Sequence, residues 1–170
     1  MEEVKIHSNI EDVRAVDYKS GETIAVGDII MYGSTGWLPA ATLAVDELLN
    51  LGKVGMAVAP SDDLSIPLGA ARSAQRETAS PPTAVSWGKG AVILFTAEFE
   101  VSNLPAAKFS GTASKGDQLT LDTNGLFKAL SNATDNAVCV AIAMEDIDAS
   151  GAGPFKISSA GAGYTVPKVV

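Results

Sequence analysis

The sequence predicts an all-β fold: a small antiparallel β-barrel or sandwich built from two pseudo-repeated units, with one short helix near residues 43–51 and an extended N-terminal arm. Three observations carry this. Short apolar runs recur between turn residues, 16 glycines and 8 prolines punctuate 170 residues, and one strand-turn-strand pattern occurs twice. Aromatic residues make up only 6% of the chain, which suits short strands better than long helices.

The later copy of the pattern lies within residues 110–146. Lys115-Gly116-Asp117 leads into Gln118-Leu119-Thr120-Leu121, a turn follows at Asp122-Thr123-Asn124-Gly125, and Leu126-Phe127-Lys128-Ala129 returns. The earlier copy, within residues 20–62, reads Val26-Gly27-Asp28, Ile29-Ile30-Met31-Tyr32, Gly33-Ser34-Thr35-Gly36 and Trp37-Leu38-Pro39-Ala40. Both close on a small apolar run with an acidic tail, residues 54–59 before Ser61-Asp62 and residues 138–143 before Glu145-Asp146. Gly27-Asp28 and Gly116-Asp117 read as tight turns, glycine taking positive φ and aspartate bonding the backbone beyond it. Asn124-Gly125, with Gly36 as its counterpart, reads as a hairpin with a primed turn. Each copy is then a three- or four-stranded unit too small to bury a core alone, so the two share one. Chance similarity in a chain rich in Ala, Gly and Val is the alternative.

In chain order, residues 1–16 form an N-terminal arm mixing charges with the isolated apolar residues Val4, Ile6, Ile10 and Val13. It is read either as an extended arm that packs on something else or as a frayed first strand. Residues 17–63 are the first β unit, including the helix, where Val45, Leu48 and Leu49 recur at helical spacing and Gly52 ends it. Residues 64–82, with Pro67, Pro81 and Pro82, are an irregular loop whose Arg72 and Arg76 stand out in an acidic chain. It is read as a loop reaching a partner or as a solvated linker.

Residues 83–158 are a hairpin plus the second β unit. Two strands flank Gly88-Lys89-Gly90, and the second of them, over residues 91–101, puts Phe95, Ala97, Phe99 and Val101 on one face. Flexible segments at 150–154 and 159–163 enclose a short strand at 155–157. Residues 159–170 are a C-terminal tail whose apolar end either adds an edge to a neighbouring chain or frays.

The composition bounds the chemistry. Hydrophobic residues at 46% and charged ones at 19% permit a packed core, and a net charge of −8 with no basic patch argues against a nucleic-acid groove. No apolar stretch approaches the roughly 20 residues that span a bilayer, and the N-terminus lacks the apolar core of a signal peptide. The expectation is a soluble protein made in the cytosol, with no membrane partner.

Cys139 is the only cysteine, so no intrachain disulfide forms, and its apolar neighbours make it a small buried hydrophobe. The only histidine, His7, lies in the arm, a poor place for a base that must be held rigidly. No catalytic residue is therefore assigned. Cys139 and His7 are too few for zinc, and no phosphate-binding glycine motif has the right context. Asp62-Asp63 and Glu145-Asp146-Asp148 end equivalent strands and would approach one another about a pseudo-twofold, where oxygen ligands can hold calcium; solvated strand ends are the ordinary reading. No metal or cofactor is expected. Asn132-Ala133-Thr134 matches the glycosylation pattern but follows no secretory signal. Trp37 and Trp87 read as caps over barrel ends, with sugar stacking as the second use; that would make the chain a carbohydrate-binding or fibre-base module of a virion.

The order of these features resembles the tailed-bacteriophage capsid cement, or head decoration, proteins. The resemblance rests on Glu98-Phe99-Glu100-Val101-Ser102-Asn103-Leu104-Pro105, then Ala113-Ser114-Lys115-Gly116-Asp117-Gln118-Leu119-Thr120-Leu121-Asp122, then Gly125-Leu126-Phe127-Lys128-Ala129, then residues 138–144. Residues 21–62 resemble the family's opening portion, with Gly27-Asp28 in the corresponding turn. Cys139 departs from the glycine usual in the family, and the stretch at 72–82 is longer.

The resemblance implies a structural, non-enzymatic protein on the outer surface of a phage head, often a homotrimer at local threefold axes, that reinforces the mature shell. Its partners would be the major capsid protein and itself. The contact residues would be Val4, Ile6, Ile10 and Val13 of the arm, with Arg72 and Arg76 of the loop.

Overall fold

A computed structural model describes residues 3–40, 53–61, 65–66, 85–86, 89–133 and 137–161. The expected helix near 43–51, Asp62-Asp63, Arg72, Arg76, Trp87, Thr134 and the tail beyond Gly161 lie outside the described residues. The first half contains β1 (Lys5–Ser8), β2 (Val13–Asp17), β3 (Ile29–Gly33), β4 (Gly36–Pro39), β5 (Val54–Ala57), β6 (Ser65–Ile66), β7 (Val85–Ser86) and β8 (Lys89–Leu94). The second contains β9 (Phe99–Leu104), β10 (Thr112–Ala113), β11 (Gln118–Leu121), β12 (Phe127–Ala129), β13 (Ala141–Ala143), β14 (Ile147–Asp148) and β15 (Phe155–Ser159). Among the described residues, the helical pieces are short 3-10 turns.

The fold is mainly antiparallel β, and the duplication is visible in its topology. The first sheet runs β2-β8-β5-β3-β4, and the second repeats that order as β9-β15-β13-β11-β12, with β1 added outside β9. Backbone bonds repeat as well. Gly27 N–H donates to Ala57 O at 2.9 Å and Ala57 N–H to Asp28 O at 2.8 Å; Gly116 N–H donates to Ala143 O at 2.7 Å and Ala143 N–H to Asp117 O at 2.9 Å. Both glycines have φ +92°, and each following aspartate accepts an amide three residues back, Ala25 or Ser114, at 2.9 Å. These turns therefore fix the same strand register in both units.

Among the described residues neither sheet closes through a full ladder; one parallel bridge curls each instead. In the first unit Tyr18 bridges Trp37, and Lys19 N–H donates to Trp37 O at 2.7 Å. In the second, Phe109 bridges Phe127, and Ser110 N–H donates to Phe127 O at 2.8 Å. Tyr18 and Phe109 are thus equivalent, as are Trp37 and Phe127.

The two faces of the first sheet enter different cores. Ile30, Ala57, Val92 and Leu94 pack with Tyr18, Ile24 and Trp37. Ile29, Met31, Val54, Met56 and Ile93 belong to one continuous core with Leu119, Leu121, Phe127, Ala143 and Ile157 of the second unit. By register, Leu119, Ala143 and Ile157 match Ile30, Ala57 and Val92, which lie on the other face. The shared core thus joins non-equivalent faces, and the units pack head to tail, not about the twofold that would have gathered the acidic strand ends.

Several sequence expectations change. Among the described residues, β7 and β8 on either side of Gly88 are not paired with each other: β7 pairs with β6, and β8 with β2 and β5. The strand expected over 91–101 breaks at Phe95–Ala97, where Ala97 N–H donates to Leu94 O at 2.9 Å and the chain passes from the first sheet to the second. Ser159 holds that crossing, its Oγ accepting Phe99 N–H at 2.9 Å and donating to Ala97 O at 2.6 Å. The short strand expected at 155–157 forms as β15 and lies in the interior of the six-stranded sheet. The hairpin at Asn124-Gly125 forms, but not with a primed turn. Only Gly125 has positive φ there, and Asp122 Oδ1 accepts both Asn124 and Leu126 N–H, which holds a wider turn. Gly36 opens β4 opposite Gly33.

Candidate functional site

The residues with the least generic roles gather where the two units meet. Asp28, in the first unit's Gly-Asp turn, uses Oδ2 to accept Ala25 N–H and Oδ1 to bind the Lys108 ammonium of the second unit. Both side chains are about a quarter exposed (29% and 23%), so the pair is screened on one side and backed by protein on the other. Nearby, Asn103 takes a left-handed backbone, φ 62°, and its Nδ2 donates to Glu3 O at 3.2 Å, fastening the N-terminal segment to the end of β9. A cavity of about 690 Å³ opens beside this junction, walled by Val4, Val26, Pro105 and Pro154 with Glu3 and Asn103 also lining it.

The arm residues divide between two environments. β1 pairs with β9, and β2 is an edge strand of the first sheet, so residues 5–16 are woven into both sheets. Val4 and Ile6 pack against the shared core, Val4 with its methyl groups against Gly27, and Val13 is half-buried. Ile10, on the turn joining β1 and β2, is 87% exposed. Of the expected contact residues that are described, it is the one whose side chain is free to meet a partner.

Other candidates find local employment. Glu145 Oε1 accepts Lys156 N–H, Asp146 Oδ1 accepts Lys115 N–H, and Asp148 Oδ1 accepts the Ser150 amide and hydroxyl, which holds its carboxyl below the usual range. No metal-binding cluster occurs among the described residues. His7 Nε2 lies 3.2 Å from Ser102 Oγ on an exposed sheet face. Trp37 is buried at 8% exposure, edge-on to the half-exposed Tyr32, so its ring faces the core. Cys139 is fully buried, its Sγ 3.3 Å from Ala141 O.

Sequence reasoning missed Lys108, Asn103 and Ser159. A signal for the first existed: immediately before the equivalent residues Tyr18 and Phe109 stand Asp17 and Lys108, opposite charges in an otherwise matched pair. No protein-family model matches the chain, and no curated protein matches it significantly.

Proposed function

We propose that the chain is a non-enzymatic capsid cement protein, binding the outer surface of a phage head through the major capsid protein and as a homotrimer, and stabilising the mature shell. The observation that carries this reading is the turn at Ile10. It is anchored on both sides by strands in different sheets, and it presents one apolar side chain between Asn9 and the acidic pair Glu11-Asp12. A rigid knob of this kind loses little entropy on docking, and modest contacts repeated over a lattice add to firm binding. The resemblance to cement proteins supplies the lattice.

Because β1 and β2 belong to the folded body, deleting the arm would test folding. Ile10→Asp is the cleaner variant. Expanded heads assembled from the capsid protein encoded alongside this chain should bind the wild type at high occupancy and the variant at least about tenfold more weakly. Equal occupancy by an intact Ile10→Asp protein removes the knob from the account, and failure of the wild type to bind removes the function.

A further inference from the structure

We propose that Asp117 is a receptor for a lysine side chain of another protein, the open twin of the site that Lys108 fills within this chain. Asp28 and Asp117 are equivalent by every backbone bond of their turns: each follows a glycine at φ +92°, each pairs with the alanine ending the third strand of its unit, and each caps an amide three residues back. Those bonds consume one carboxylate oxygen in each case. In the first unit the other oxygen holds the Lys108 ammonium. In the second it has no partner among the described residues, and the turn lines a cavity of about 360 Å³ formed with Gly116, Gln118, Leu130 and Ser131. The cavity gives a lysine stem room to approach, and Asp117 offers the charge its ammonium requires.

Head-to-tail packing identifies what the site excludes. A unit docked on the second as the second docks on the first would bring its equivalent of Lys108 to Asp117. In another copy of this chain that residue is Asp17 if the first unit docks, a like charge; if the second docks, it is Lys108, already held by Asp28. Self-propagation by this packing is therefore disfavoured at this point, which favours an ammonium from a different protein. One carboxylate cannot satisfy the six or more oxygens a calcium ion takes, so a lysine suits the site better than a metal.

This inference does not depend on the capsid reading. Nα-acetyl-lysine methylamide, titrated into the full chain and followed by amide NMR, should give saturable shifts at Gly116, Asp117, Gln118 and Ser131 and none at the Asp28 turn. The norleucine analogue should give none, and Asp117→Asn, which keeps an oxygen for the Ser114 amide, should abolish them with the rest of the spectrum unchanged. Absent shifts, equal shifts with norleucine, or equal shifts in Asp117→Asn overturn the proposal, and the norleucine control decides it even if the variant misfolds. Parallel binding to heads separates the two readings. Lysine shifts without head binding would count against the cement function alone; head binding without lysine shifts would count against the Asp117 site alone.

Discussion

The two units share a strand order and a set of turn bonds yet fill the same space differently. At the closing position the first unit has Tyr18, whose hydroxyl lies 2.6 Å from Ala59 O and 3.0 Å from Ala91 O and accepts Ala91 N–H at 3.2 Å. The second has Phe109, tilted on Phe127 at 5.6 Å and edge-on to Phe155 at 5.5 Å. The residue opposite changes with it. Gly90 leaves room for the tyrosine ring, while Phe155, its equivalent by the bonds Val58 N–H to Ala91 O and Met144 N–H to Lys156 O, fills the room around the phenylalanine. Topology here is held by backbone turns, and side chains are free to diverge in compensating pairs.

The largest test of that view is Phe109→Ala. Phe109 is 4% exposed within the shared core, so its loss should cost about 3–5 kcal/mol in urea unfolding, and a cost below about 1 kcal/mol would mean the aromatic cluster does not close the second unit. Gly90→Ala comes next. Its Cβ would stand 2.0 Å from Tyr18 Cζ, and overpacking of this kind should cost about 2–3 kcal/mol. In the double variant Gly90→Ala, Tyr18→Ala most of that penalty should vanish, because the clash has a single partner; additivity would place the strain elsewhere.

These pairs also show what the sequence could and could not disclose. The repeated Gly-Asp turns were legible because their bonds are local, spanning residues three apart at Ala25 and Asp28 or Ser114 and Asp117. The break between β8 and β9 was hidden. Phe95, Ala97, Phe99 and Val101 keep a period of two through the turn, since Phe95 and Phe99 both enter the same core while the strands on either side belong to different sheets. The docking of β1 on β9 joins residues such as His7 and Ser102, 95 positions apart, which no local pattern encodes. Asp28 was legible as a turn residue, whereas its bond to Lys108 depended on how the units pack.

Tyr18→Phe should cost about 1–2 kcal/mol, since Ala59 and Ala91 lose their partner in a partly buried setting. A smaller difference separates the two turn aspartates. Asp28→Asn breaks a partly exposed ion pair and should cost about 0.5–1 kcal/mol, less at high salt, while Asp117→Asn should leave the urea midpoint unchanged. Equal losses would show that Lys108 does not distinguish them.

The smallest effect is alkaline, and it assigns one titrating group to each unit. Burial pushes the Cys139 thiol up from its ordinary 9.0, and burial also pushes the Tyr18 hydroxyl up from 10.0 against the lowering influence of its backbone bonds. In both cases the folded chain holds its proton more tightly than the unfolded one. The associated stability is thus fully present below the ordinary value and is lost as pH rises through the folded one. Urea midpoints should be level as pH approaches 9.0 and then fall, with a second decline setting in near 10.0. Cys139→Ala should remove the first decline and Tyr18→Phe the second. If either variant removed both, the two groups would titrate as one, and the units would not respond separately to alkali.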